Sequence, residues 1–231
     1  QLSFSQKKAL NTIKTTEKIS IDGKFNETIW ESTPIAKDFV MYAPENGKSE
    51  ENNKRTEVKI IYDNDAIYIA ATMYDNEPDK ILTQITKRDE SGIYDNFGVF
   101  INGFNDSQQD FRFYVSASGV QADCFTFTDG YEDFTWNAVW DSEARITDYG
   151  WVVEMKIPYA ALRFSNEEKQ TWGLNFYREI RRDRQSLTWN FIDNNISNEL
   201  VQAGLLEGIE DIEPPIRLFF NPFASFYVTA N

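Results

Sequence analysis

The residues WNAVWDSEARITDYGWVVEMKIP, 136–158, and TWGLNFYREI, 171–180, carry the strongest secondary-structure signal in the chain. In both, aromatic and aliphatic side chains alternate with polar or small ones, most regularly over residues 136–140, 151–157 and 172–176. A period of two with aromatic and β-branched residues is typical of half-buried antiparallel strands. The pattern therefore predicts three strands at the centre of a β-rich core.

The same alternation recurs through the chain and predicts an all-β fold. It is cleanest in a hairpin over residues 58–71, and the other strands follow at the spacing expected of a sandwich or barrel. We predict one antiparallel β-sandwich of about nine to ten strands over residues 19–213. An irregular N-terminal arm is expected at residues 1–18, and one short helical turn is expected to bury Trp30.

The composition excludes several classes of function. The 231 residues carry a formal net charge of −14, which argues against nucleic acid, whose phosphates require a basic surface. The chain has no histidine, so catalytic triads and zinc sites built on histidine are excluded. Glycoside hydrolysis needs two carboxyl groups at a set separation, which a sequence with 37 acidic residues cannot identify. We predict that the domain is not an enzyme.

Three kinds of side chain remain as candidates for function. Carboxylates near predicted turns either hold Ca²⁺, which takes about six to eight oxygen ligands, or are merely solvated. Rings in predicted loops, at Tyr94, Tyr131 and Tyr149, are free to stack on sugars beside amides and arginines. The arginine-rich run at residues 178–184 is either a solvated, self-paired strand face or an anion site.

Several short segments resemble a known family when they are taken in order. They are IDG at residues 21–23, TEV at 56–58, DNFGVFIN at 95–102, GWVVE at 150–154 and WGLN at 172–175. Over about residues 19 to 210 the chain resembles the family 9 carbohydrate-binding module. It resembles in particular the version that begins large outer-membrane β-barrel proteins of Gram-negative bacteria.

The resemblance implies positions for ligand binding. In the sugar-binding members two tryptophans enclose a terminal sugar, and the matching positions here are Gly92 and Ser197, neither of them aromatic. A ligand-binding glutamate of the family falls on Gly98. The arginine that contacts sugar is retained as Arg112, and Tyr94 is the candidate replacement ring. Arg112 and Tyr94 are therefore the predicted ligand-binding residues.

The resemblance also implies bound calcium and a cellular location. Asp75 and Asp95 match positions at which the family holds its ion. The domain is expected in the cell envelope, on the periplasmic or surface side of the outer membrane, with a following β-barrel domain as partner. Residues 214–231 are expected to form a linker and a first barrel strand, because alternate side chains of IRLFFNPFASFYVTAN are apolar. An edge strand of the sandwich is the alternative, which Pro222 favours.

Three functions stay open on these observations. The first is a non-catalytic module that recognises a glycan near Arg112 and Tyr94. The second is a structural or protein-interaction domain that docks on an outer-membrane β-barrel without binding sugar. The third, ranked lowest, is a glycoside hydrolase or its accessory domain.

Overall fold

The computed structural model describes residues 7–215, which form two facing β-sheets. In chain order the strands are β1 (Ala9–Asn11), β2 (Ile13–Lys14), β3 (Val40–Ala43), β4 (Thr56–Tyr62), β5 (Ala66–Tyr74), β6 (Asn96–Asn102), β7 (Gln109–Ser116), β8 (Gln121–Phe127), β9 (Glu132–Asp133), β10 (Asp141–Thr147), β11 (Gly150–Pro158), β12 (Lys169–Ile180), β13 (Gln185–Thr188) and β14 (Gly204–Glu210). The helical elements are α1 (Ile29–Ser32) and short 3-10 turns at Asn52–Lys54, Pro78–Lys80, Tyr159–Ala161, Arg181–Asp183 and Leu200–Gln202.

The larger sheet has the order β1-β14-β12-β6-β7-β8-β9, and β13 joins it by pairing with β12 and β3. The smaller sheet has the order β10-β11-β5-β4-β2. The strand pairs are antiparallel except β1 on β14 and β2 on β4, which are parallel. The predicted all-β sandwich is confirmed. The described part of the chain has more strands than predicted because several are only two to four residues long, too short to show alternation in a sequence.

Residues 9–14 belong to the sandwich, so the predicted irregular arm is wrong for that segment. In the β1–β14 pair Leu10 lies opposite Leu206, and its side chain is buried in the core. Thr12 Oγ1 donates a 2.8 Å hydrogen bond to the carbonyl oxygen of Ile60. The Leu10 pairing joins residues nearly 200 positions apart and the Thr12 bond joins residues 48 apart, and nothing in a short, Lys-rich segment indicates such partners.

The hairpin of β4 and β5 is confirmed, and the side chain of Asp63 explains its tight turn. Asp63 Oδ1 accepts hydrogen bonds of 2.8 Å from the backbone N–H groups of Asp65 and Ala66. Its other oxygen accepts a 2.7 Å bond from the hydroxyl of Tyr68. A short carboxylate that bonds to its own backbone two and three residues on is a common turn device. The predicted helical turn is also confirmed, since α1 buries Trp30.

The strand predicted at residues 136–140 is wrong, and β10 begins only after it, at Asp141. The backbone N–H of Ala138 and the indole N–H of Trp140 both donate to the carboxylate of Asp123, at 3.1 and 2.7 Å. The ring of Trp136 packs on Phe125 with centroids 4.6 Å apart. The segment is thus held by one buried carboxylate and by ring packing, and its alternation reflects contact with the core without strand pairing.

The core lies between the two sheets, and it fixes which side chains of the larger sheet point outward. On β6 and β7 the odd-numbered residues, from Phe97 to Ile101 and from Phe111 to Val115, are buried in this core. Successive side chains of a strand point to opposite faces. The even-numbered residues, among them Phe100, Arg112 and Tyr114, therefore lie on the face turned away from the smaller sheet.

Within residues 7–215, no helix has the length and apolar character needed to cross a membrane. The predicted barrel strand falls at residues 216–231, outside the described residues.

Candidate functional site

The outer face of the larger sheet holds a cavity of about 630 Å³. Strands β6, β7, β8, β12 and β13 form its floor, and the loop at residues 89–94, the turn at residues 130–134 and the segment at residues 192–199 form its walls. Six aromatic rings line it: Tyr42, Tyr94, Phe100, Tyr114, Phe134 and Tyr177. Its charged lining residues are Asp89, Glu90, Glu132, Glu179, Glu199, Arg112 and Arg181.

Three of the rings pack against one another on the floor. Phe100 lies edge-on to Tyr114 with centroids 5.6 Å apart and stacks on Tyr177 at 6.0 Å. Tyr114 in turn lies edge-on to Tyr177 at 6.2 Å. A Cβ at Gly98 would lie 2.8 Å from two carbons of the Tyr114 ring. Tyr114 thus fills the space above Gly98, at the place where the family resemblance puts a glutamate.

Arg112 is buried beneath the cavity floor within a cluster of carboxylates. Its Nε donates to Asp110 Oδ1 at 3.0 Å and its Nη1 donates to Glu132 Oε1 at 2.9 Å, while Nη2 lies 3.6 Å from Glu199 Oε2. The guanidinium also lies over the ring of Phe100, 4.2 Å from its centroid. These contacts place the predicted arginine in the site, where two of its five N–H groups donate hydrogen bonds to carboxylates.

Burial and hydrogen bonding shift the pKa values of two groups around this cluster. Burial raises the pKa of Asp110 to about 6, and the neighbouring charge of Arg112 opposes that rise. A hydrogen bond of 2.7 Å to Glu199 and partial burial raise the pKa of Tyr42 to about 12. At neutral pH Asp110 is therefore mostly ionised beside the guanidinium of Arg112, and the Tyr42 hydroxyl stays protonated and donates to Glu199.

Tyr94 lines the same cavity, so the two predicted ligand-binding residues lie in one site. Its hydroxyl donates a 3.0 Å hydrogen bond to the carbonyl oxygen of Glu90. A Cβ added at Gly92 would lie 2.5 Å from Cε1 of the Tyr94 ring and 2.7 Å from Cγ2 of Thr86. The ring of Tyr94 thus occupies the space at Gly92, where the resemblance places a clamp tryptophan. Of the other loop rings, Tyr149 packs on Tyr74, with centroids 5.8 Å apart, and Tyr131 is exposed in the turn at residues 130–134 without lining the cavity.

Asp75 and Asp95, the predicted calcium ligands, lie together beside two arginines. Asp75 Oδ1 accepts 2.8 Å bonds from Arg182 Nη2 and from the backbone N–H of Glu77. Asp95 Oδ1 accepts a 3.2 Å bond from the backbone N–H of Arg181. The second oxygen of each carboxylate is buried and has no hydrogen-bond partner.

The electrostatics at this pair reflect the arginines. Burial raises the pKa of Asp75, but the hydrogen bond from Arg182 and the nearby charges outweigh it and leave that pKa below its usual value. Burial raises the pKa of Asp95 to about 6, against the opposing charge of Arg178. Arg178 and Arg182 are thus the cations beside this pair of carboxylates. Of the two alternatives predicted for residues 178–184, a solvated, self-paired face or an anion site, the solvated face does not describe these two arginines.

The groups around Asp75 and Asp95 are not those that calcium requires. Calcium takes about six to eight oxygen ligands. Here the groups that reach the two carboxylates are guanidinium and amide N–H groups. Among residues 7–215, no group of three or more histidine, cysteine, aspartate or glutamate side chains is placed to hold a metal ion. The side chains as they stand do not fit a calcium ion, and calcium binding stays a prediction for a solution test.

The sequence analysis missed most of the cavity lining. Phe100, Tyr114 and Tyr177 lie in strands, where aromatic residues are usually core, and Glu132 and Glu199 are two among many acidic residues. One signal in the sequence does point to the cavity. In DNFGVFIN and FRFYV, aromatic or charged side chains stand at both odd-numbered and even-numbered positions, so they lie on both faces of a strand. An antiparallel sheet commonly leaves one face solvated, so rings on that face mark it as a candidate binding surface.

The fold resembles solved structures at low sequence identity. A family 9 carbohydrate-binding module from Caldicellulosiruptor kristjanssonii in complex with cellotriose is 16% identical, with a TM-score of 0.62 over 93% of this chain and 100% of that chain. The same organism's module in complex with glucose gives 14% identity and a TM-score of 0.60, covering 92% and 99% of the two chains. A candidate carbohydrate-binding protein from Bacteroides uniformis is 12% identical, with a TM-score of 0.67 over 90% of this chain and 100% of that chain.

No curated protein matches the chain. The family model for the carbohydrate family 9 binding domain-like group matches residues 21–192. That match extends from the segment before α1 to the wall of the cavity, and it includes Tyr94 and Arg112. The chain belongs to the carbohydrate family 9 binding domain-like family.

Proposed function

We propose that this domain is a non-catalytic module that binds a glycan in the cavity on the outer face of the larger sheet. The observation that carries the proposal is the joint presence of six aromatic rings and seven charged side chains in one open cavity of about 630 Å³. The apolar faces of sugars stack on aromatic rings, and their hydroxyls bond to carboxylate, amide and guanidinium groups. The two relatives whose structures hold cellotriose and glucose support this ligand class.

The stacking surface is provided by rings that remain partly accessible. Tyr94 is half-buried at the wall and Phe134 is exposed at the rim, while Tyr114 and Tyr177 form a half-buried floor. A sugar in the cavity can therefore contact both these rings and the carboxylates that line it. The wall ring of Tyr94 is therefore the side chain whose removal reports most directly on binding.

The test is isothermal titration of the purified chain with a panel of oligosaccharides that includes cellotriose. We expect binding that Tyr94→Ala weakens about tenfold, since a stacked ring contributes on the order of 1 kcal/mol beyond its burial. Tyr149→Ala is the matched control, because this exposed loop tyrosine lies outside the cavity. If no oligosaccharide of a broad panel gives measurable binding heat while the parent and both variants are folded, the proposal is contradicted.

Hydrolysis is the competing activity, and its candidate groups among residues 7–215 are carboxylates. The lone cysteine, Cys124, is buried, and its burial raises its pKa above the usual thiol value. Release of reducing ends from any panel glycan by protein purified to a single component would replace the binding proposal with a catalytic one.

The cellular setting that we propose rests on the family resemblance of residues 19–210. In this setting the domain lies in the cell envelope, on the periplasmic or surface side of the outer membrane, and a β-barrel follows it as its partner. Docking on such a barrel without sugar binding is the alternative function. Fractionation of cells that express the native gene tests the location, because recovery with the cytosol would contradict it.

Calcium at Asp75 and Asp95 is retained as a separate proposal. A ligand that binds only the native state raises its stability by mass action. A melting midpoint that rises with calcium and falls with EDTA would support the site, and Asp75→Asn should then abolish the response. A midpoint that is the same throughout a calcium titration would contradict it.

A further inference from the structure

We infer that the cavity selects a glycan whose bound residue carries a free amine, an amino sugar of the glucosamine type, and rejects glycans that carry carboxylate or sulfate groups. The inference rests on the proposed function and specifies its substrate class. It depends on the balance of charge at the floor and on which hydrogen-bonding groups remain for a ligand.

The charge balance at the floor is negative. One guanidinium, Arg112, stands among three carboxylates: Asp110, Glu132 and Glu199. Arg112 is nine-tenths buried, and Asp110 is buried with it. The cluster, in which Arg112 and Asp110 are buried, therefore holds a formal surplus of two negative charges when all three carboxylates are ionised and of one when Asp110, whose pKa is about 6, is protonated. Charges act more strongly there than at an exposed surface, because the effective dielectric constant is lower.

The second cation of the cavity does not reverse this balance. Arg181 donates a 2.9 Å hydrogen bond to Glu179, and both residues line the cavity as a neutral pair. Asp89 and Glu90 add carboxylates to the opposite wall. An anionic sugar would have to approach these carboxylates without an unpaired cation to receive it. Like charges brought together in this way oppose binding.

The carboxylates of the cluster keep free acceptor positions. Glu132 Oε1 accepts bonds from both Arg112 Nη1 and the hydroxyl of Tyr114, at 2.9 and 2.8 Å, and no described residue donates to its Oε2. Glu199 Oε1 accepts from the hydroxyl of Tyr42. The side chains of Glu132 and Glu199 are still 34% and 30% exposed, so their carboxylates are accessible from the cavity.

An ammonium group matches this arrangement better than a hydroxyl. It has three donors and a positive charge, and the carboxylates that face the cavity offer acceptors and negative charge. The Tyr114 ring lies beside Glu132, to which its hydroxyl donates a 2.8 Å hydrogen bond. Charge and the free acceptors thus favour the same ligand group.

The test is isothermal titration of the whole chain at pH 6 with four trimers. These are the glucosamine trimer, its N-acetylated form, cellotriose and trigalacturonate. We expect the glucosamine trimer to bind at least tenfold more tightly than cellotriose, and trigalacturonate to give no measurable heat. Glu132→Gln should reduce the ratio of the two affinities toward one. Glu143→Gln, which changes an exposed carboxylate on β10 by the same charge, should leave that ratio as it is.

The net charge of −14 attracts any polycation, so trilysine serves as the non-sugar control. Trilysine that binds as tightly as the glucosamine trimer would overturn the inference. It would also be overturned if Glu132→Gln, with an unchanged melting curve, still bound the glucosamine trimer at least tenfold more tightly than cellotriose. Cellotriose bound as tightly as the glucosamine trimer would overturn the inference and leave the proposed function standing. If neither the four trimers nor the broad panel give measurable binding heat, both the inference and the proposed function are contradicted.

Discussion

Arg178 on β12 donates a 2.8 Å hydrogen bond from Nη2 to the carbonyl oxygen of Tyr74 on β5, and so links the two sheets through a fully buried cation. Its Nη1 donates to three further acceptors on the smaller sheet's side, the carbonyl oxygens of Lys54 and Arg55 and the hydroxyl of Thr56. Burial lowers the pKa of Arg178 to about 10, against the nearby charges of Asp95 and Asp75. The side chain is therefore still charged at neutral pH.

Replacing Arg178 with methionine should destabilise the fold by about 3 to 5 kcal/mol, because the change leaves buried carbonyls and carboxylates without their partner. Denaturant unfolding at pH 7 measures the loss. Lys169→Met is the matched control, since Lys169 begins the same strand but makes only an exposed ion pair with Glu210. We expect the control to change stability by less than about 0.5 kcal/mol. Equal effects of the two variants would refute a bridging role for Arg178.

The alternation that predicts β11 and β12 is strong because both strands present a continuous row of large side chains to the core, from Trp151 to Ile157 and from Trp172 to Phe176. Alternation reports only that one face of a strand is buried. It cannot report that Arg178, on the same strand, reaches across to the other sheet. The bonds that bury Arg178 come from residues more than 100 positions away.

The candidate site was predictable only in part for a related reason. Arg112 and Tyr94 could be carried over from the family resemblance, and both line the cavity. Glu132 and Glu199 enter it from a two-residue strand and from a loop, where position depends on tertiary packing. No local pattern in the sequence distinguishes these two carboxylates from those that lie at solvated turns.

Glu154 should make stability depend on pH. Its Oε2 accepts 2.9 Å bonds from the N–H groups of Asp22 and Gly23, while its Oε1 is buried without a partner. Burial raises the pKa of Glu154 to about 7 in the folded protein. A raised carboxyl pKa means that the folded state binds the proton more tightly than the unfolded state. The protonated Glu154 carboxyl therefore contributes its full amount to the free energy of unfolding below the unfolded-state pKa, near 4.5. That contribution is lost as the pH rises through 7.

Glu154→Gln keeps an acceptor for the two N–H groups and removes the charge. We expect its stability relative to the parent to improve by about 1 to 3 kcal/mol between pH 4.5 and pH 8. Denaturant melts across that range give the difference curve. Glu143→Gln provides the control, because Glu143 is the register partner of Glu154 on β10 and its side chain is 46% exposed. A flat difference curve for Glu154→Gln would contradict the buried, protonated carboxyl.

Gly150 should not tolerate a side chain. It has a φ of +141°, and an added Cβ would lie 2.1 Å from the carbonyl oxygen of Met73 on the neighbouring strand. Gly150→Ala is expected to cost about 3 kcal/mol or more, because the clash is with backbone that cannot move aside. Gly119 also has a positive φ, of +83°, but nothing lies within 4 Å of its added Cβ. Gly119→Ala should therefore cost only about 1 kcal/mol, and equal costs by thermal melting would contradict the steric argument.

The absence of a side chain at Gly92 should determine where the Tyr94 ring stands in the proposed ligand site. A methyl group at position 92 would overlap the Tyr94 ring, which is the movable partner because it stands half-buried in a loop. Gly92→Ala should therefore displace the ring and weaken cellotriose binding by about as much as Tyr94→Ala does, on the order of tenfold. The melting midpoint should change little, because the loop at residues 89–94 lies outside the core.

The double variant distinguishes displacement of the ring from direct obstruction of the cavity. If Gly92→Ala acts only through the ring, its effect disappears once the ring is gone, so Gly92→Ala/Tyr94→Ala should bind cellotriose no more weakly than Tyr94→Ala alone. Such non-additivity is the signature of two residues in contact. A double variant that binds about a hundredfold more weakly than the parent would show independent effects. In that case the methyl group at position 92 obstructs the ligand directly, and displacement of the Tyr94 ring does not explain its effect.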